Sequence, residues 1–181
     1  MESLSQQQIE AAQEFVNTTI DALRTERGVH AETAIAGTAR MAGTFLFHSF
    51  GFTLEGVKAG QAVLSDIANE QGPQLIQILG SVLSHVGITL DKEQLDKLPS
   101  AENQPLLGFL ETQRQLEPRY LKIKDRLGLS LQEAAESAAA ASALLIQQSA
   151  QVLNPNIAFN VAVYGFIEGT KTQPPSQYHY E

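Results

Sequence analysis

Residues 30–50 read HAETAIAGTARMAGTFLFHSF, with Gly28 just before the stretch and Gly51 just after it. A helix drawn through it is small or apolar on almost every side, with one arginine, Arg40, in its body and a histidine, His48, near its end. Such a helix has no face to give to water, so it belongs at the centre of a helical domain. The rest of the chain is read as what covers it.

Upstream, Ser5 and Gln8 make a capping-box pattern, and Ile9, Ala12, Val16, Ile20 and Leu23 follow at spacings of three and four, the stripe of an amphipathic helix. Downstream, a junction recurs: Gly51-Phe52-Thr53-Leu54, Gly87-Ile88-Thr89-Leu90 and Gly128-Leu129-Ser130-Leu131, with Gly28-Val29-His30 as a looser copy. In each, glycine takes the left-handed conformation after a helix, the hydrophobe packs back, and the hydroxyl caps the next helix. The pattern predicts very short connections between consecutive helices. Helices are expected over 53–70, over 73–86 after a break at Gly72-Pro73, and over a short polar stretch at 91–98. Another starts at Pro105 and is kinked or divided by Pro118. An alanine-rich helix follows the Ser130/Glu133 capping box, and a last one follows Asn154-Pro155. For residues 157–167 a strand is the competing reading.

The expected fold is all-α: a single-domain bundle of about seven or eight helices over residues 1–169, followed by a polar, proline-containing tail at 170–181. Residues 30–50, 73–86 and 155–168 should form the centre, with close crossings at Ala36, Gly37, Gly43 and along 134–141. Tyr178 and Tyr180 are placed to dock the tail on a neighbouring surface.

Composition narrows the function. With 43% hydrophobic and 18% charged residues in 181, the chain is globular and large enough for a sizeable core. It has no cysteine, which excludes disulfides, thiolate metal sites and thiol nucleophiles. The N-terminus lacks a basic and an apolar region of signal-peptide type, and no apolar run is long enough for a bilayer, so a cytoplasmic protein away from membranes is expected. Twelve basic against 20 acidic residues give a net charge of −8, a field that repels phosphate backbones and argues against nucleic acid as partner.

Three groups of side chains invite chemistry. His30 and His48 are five helical turns apart, which aligns them but separates them by about 27 Å, so they cannot share a metal. No metal site and no cofactor is expected, and the sequence carries no nucleophile elbow, P-loop or dinucleotide fingerprint. Arg40 has only Ala36, Gly37, Gly43 and Thr44 beside it at helical spacing. If buried it needs an anion from elsewhere, either a bound ligand, held with Thr44 and His48, or an acid on another helix such as Glu133, Glu136 or Glu168; the remaining reading is a side chain turned outward. Arg114, Arg119, Lys122, Lys124 and Arg126 form a basic cluster around Glu117 and Asp125, with Arg119, Lys122 and Arg126 on one face. It would suit an acidic protein partner or phosphate, or be a solvated face answered by acids on another helix.

Two functions are compatible with these observations. One is a non-enzymatic interaction or regulatory protein acting as a homodimer, suggested by the surplus of apolar helix faces. The other is a binding protein or enzyme for a small anionic ligand, with its pocket around Arg40.

Overall fold

Six α-helices carry residues 3–175, the part that the computed structural model describes: α1 (Gln6–Leu23), α2 (Ala31–Ser49), α3 (Asp66–His85), α4 (Phe109–Arg126), α5 (Leu131–Ser149) and α6 (Pro155–Thr170). Short 3₁₀ turns at Lys92–Gln94 and Ala101–Asn103 lie in the long connection between α3 and α4. The all-α class is as expected; six helices and two 3₁₀ turns replace the seven or eight. Residues 157–167 are helical, within α6.

The stretch that opened the reading is α2, and it is the axis of the bundle. Its residues from Thr33 to Phe47 are all buried, and α6, α5, α4 and α1 surround it. Glycine makes the α2–α6 crossing possible. A Cβ on Gly43 would stand 2.6 Å from the Phe166 carbonyl oxygen and 2.7 Å from the Gly169 Cα. One on Gly165 would stand 2.8 Å from the Ala39 Cβ. The two backbones therefore touch, which only glycine permits. Alanines 134, 135, 138, 139 and 141 are fully buried on α5 and bring α2 and α1 close to it in the same way.

The glycine junctions divide into two kinds. All four glycines have positive φ (Gly28 93°, Gly51 67°, Gly87 84°, Gly128 66°), and Leu129 and Ile88 donate back to the Lys124 and Leu83 carbonyls to close the preceding helices. Only Ser130, in a full capping box, and His30, which accepts from the Thr33 amide, then start a helix. After Gly51 the chain runs irregularly to Ser65, which caps α3 through the Ala68 amide. The expected helix over 53–70 is thus an irregular segment plus one turn.

Two prolines do not break helices. α3 passes through Gly72-Pro73, and α4 is continuous through Pro118. Each proline removes one intrahelical donor, at the carbonyls of Asn69 and Arg114, and both of those residues are exposed, so water can satisfy the freed oxygens. The α4 start moves from Pro105 to Phe109, where Glu111 folds back on the Gly108 amide. α3 is also less central than its apolar face suggests. Leu75, Ile78, Leu79 and Leu83 are buried, chiefly against α5, while Ile76, Val82 and Val86 remain half-buried. α5 takes its place in the core.

Beyond α6, residues 171–173 run beside 60–63: the Val63 and Gly60 amides donate to the Lys171 and Gln173 carbonyls, and the Gln173 amide to Gln61. Tyr178 and Tyr180 lie outside the described residues. No described helix is long and apolar enough to cross a membrane.

Candidate functional site

Arg40, Thr44 and His48 do fall on one face of α2, and each meets a polar side chain of α4 or α6. The Arg40 guanidinium, 4% exposed, donates through Nε to Glu168 Oε1 on α6 at 3.1 Å, and through an Nη to the Leu107 carbonyl at 2.9 Å and Thr112 Oγ1 at 3.4 Å. Glu168 is one of the three acids that the sequence offered as an ion-pair partner. A 240 Å³ depression lined by Ala36, Leu106, Val161, Tyr164 and Glu168 opens over the guanidinium. Thr44 Oγ1 accepts from the Gln113 side-chain amide at 2.5 Å. His48 Nε2 lies 3.8 Å from Glu117 Oε1.

The lower end of this seam holds uncharged forms of two titratable groups. Glu117 is fully buried, and neither carboxyl oxygen has a hydrogen-bond partner among the described residues. Desolvation pushes its pKa up to about 8 and pulls that of His48 down to about 4. At neutral pH a carboxylic acid therefore faces a neutral imidazole. Beside it, Tyr120 Oη bridges Thr19 and Thr38, at 2.5 and 3.1 Å, and its ring stacks on Phe15. Gln113, Glu117 and Tyr120 escaped the sequence reading, which saw Glu117 only as an acid among cations. The available signal was the matching i, i+4 spacing of Gln113 and Glu117 on α4 with Thr44 and His48 on α2.

The basic cluster stays on the outside. Arg119, Lys122 and Arg126 are exposed, and Arg126 is paired with Glu14 of α1. Lys124 is buried along its stem and reaches Asp125 at 3.0 Å. His30 is the α2 cap, 3.3 Å from Glu32, and His85 lies in the last turn of α3. Among the described residues no three His, Asp or Glu side chains gather in a metal-ligating group.

A second and wider concavity lies elsewhere. α1 and α3 both pack on α5 and scarcely meet each other, leaving a trough of about 1,280 Å³ above α5. α3 lines it from Glu70 to its end: Gln74, Gln77, Ile78, Ser81, Val82 and His85 recur at helical spacing. α1 contributes Gln8, Ile9 and Ala12, with Leu4 just before it, and α5 contributes Glu133, Glu136, Ala140 and Leu144. Ile9 belongs to the apolar stripe of α1, yet it is 51% exposed, because the trough leaves that end of the stripe uncovered. At the centre, the Glu136 carboxylate accepts from Gln8 Nε2 of α1 at 2.7 Å and Gln74 Nε2 of α3 at 3.1 Å. No sequence pattern announced the trough, since it depends on which helices neighbour α5. No protein-family model, curated protein or solved structure matches the chain.

Proposed function

We propose that the protein is a non-enzymatic interaction protein that receives an amphipathic helix of a partner in the trough between α1 and α3. The observation that carries the reading is the stripe on α3. Sixteen rises from Glu70 to Val86 span about 24 Å, and one face lines the trough throughout that length. Three helices that each offer a stripe to a common space leave room for a fourth, and an apolar strip on a docked helix would cover Ile9, Val82 and Val86. The polar side chains of the α2–α4 seam support an architectural role for that seam, because Arg40 and Thr44 already have protein partners.

The test uses a synthetic helix of about 16 residues with leucines at i, i+3, i+4 and i+7 and glutamines beside them. Titration calorimetry should show binding to the wild type. Val82→Glu, a charge placed on the half-buried apolar part of the α3 wall, should abolish it while the thermal midpoint stays within a few degrees. Unimpaired binding by Val82→Glu refutes the trough as the site.

A further inference from the structure

The charged side chains that line the trough are mainly of one sign. Among the described residues, Glu70, Glu133 and Glu136 line it and no lysine or arginine does, His85 being the one ionisable base there. Glutamines 8, 13, 74, 77 and 132 supply much of the remaining polar lining. We infer that the partner helix is cationic: an amphipathic segment with an apolar strip for the floor and lysines or arginines flanking that strip. The inference rests on reading the trough as a helix receptor, and adds the charge of its occupant.

Each acid is placed where a flanking cation could meet it. Glu70 is exposed at the start of the α3 stripe. Glu133 lies at the first turn of α5, where its carboxylate accepts from the Ser130 amide at 2.8 Å. Glu136 holds the middle; its oxygens each accept one amide bond and keep lone pairs for a further donor. Cations near these groups gain a charge-assisted hydrogen bond, and the −8 net charge steers a basic segment inward from a distance.

A second copy of the chain fits less well. Trough against trough would bring Glu70, Glu133 and Glu136 toward their own copies, a like-charge arrangement. The basic face of α4 has the right charge but no apolar strip, since none of the large exposed hydrophobic side chains belongs to α4.

The experiment compares lysine-flanked, glutamine-flanked and glutamate-flanked versions of the same helix against the full chain. The lysine version should bind at least tenfold tighter than the glutamate version at low ionic strength, and the gap should shrink as salt is raised. Glu70, Gln77 and Gln132 are all exposed, so replacing the three with lysine changes the wall and leaves the core alone. In that variant, with circular dichroism confirming the fold, the lysine advantage should vanish or invert. Equal binding of all three peptides overturns the charge inference and leaves the helix-receptor reading standing. No binding by any of them overturns both. A dimer by sedimentation that Val82→Glu converts to a monomer assigns the trough to a second copy, and likewise overturns the inference.

Discussion

Glu117 shows how far a single side chain can depart from its sequence neighbourhood. It stands among Arg114, Arg119 and Lys122 in the chain, yet helical geometry turns it toward α2 and the cations toward water. Its protonation makes stability depend on pH in a defined direction. With a folded pKa near 8 against an ordinary 4.5, Glu117 contributes stability that is complete below pH 4.5 and lost as pH rises through 8. With a folded pKa near 4 against 6.5, His48 contributes stability that is complete above 6.5 and lost as pH falls through 4. Between 4.5 and 6.5 the two slopes, each at most about 1.4 kcal/mol per pH unit, cancel. The two groups therefore give a plateau there and a decline on either side. Glu117→Gln should remove the alkaline decline, leaving the variant more stable than the wild type at pH 8; urea denaturation at pH 6 and pH 8 measures both. A wild type whose stability does not fall between those values would show that Glu117 is ionised in place. Arg40 was more legible than Glu117. Its isolation among small residues required an anion from elsewhere, and Glu168 was among the few acids available.

Elements were legible where local chemistry decides them and obscure where packing does. The capping boxes at Ser5 and Ser130, the His30 cap and the Asn154-Pro155 start all lie where the residues indicate. Gly72-Pro73 reads as a stop, but α3 continues through it. Its cap at Ser65 and its apolar contacts with α5 outweigh one missing hydrogen bond on an exposed side. Thr53 and Thr89 have the composition of caps and start no helix. The glycines separate by neighbour instead of by propensity. Gly43→Ala forces the α2 and α6 backbones apart and should destabilise by about 1–3 kcal/mol or more. Gly80→Ala, in the interior of α3 with nothing within 4 Å of the new Cβ, should stabilise by roughly 0.5–1 kcal/mol. Opposite signs in thermal or denaturant midpoints confirm the contrast; a harmless Gly43→Ala would mean that the crossing has slack.

At the scale of the molecule, a dense centre and a loose perimeter coexist. α2 and α5 carry the buried core, while residues 53–59 are largely exposed outside any helix. Hydrogen–deuterium exchange should find amides of α2 and α5 opening only with global unfolding, and those of 53–59 exchanging orders of magnitude faster. Protection of 53–59 equal to that of α2 would contradict this picture. The helical class could be read from hydrophobic periodicity and capping patterns, and the central role of residues 30–50 from the lack of any polar face. The trough could not, because periodicity reports which face of a helix is apolar and says nothing about which neighbour covers it.

The Glu136 carboxylate, with one oxygen toward Gln8 and the other toward Gln74, ties two helices that otherwise scarcely meet. It acts as a spacer bar. Packing of both helices on α5 sets the separation of the walls and the Glu136 bridge pins it, so under the proposed reading docking would spend little binding energy on ordering them. Under the proposed reading a pre-set width would also be a gauge: it would admit helices whose side chains match the gap and penalise bulkier ones, adding selectivity by size to selectivity by charge.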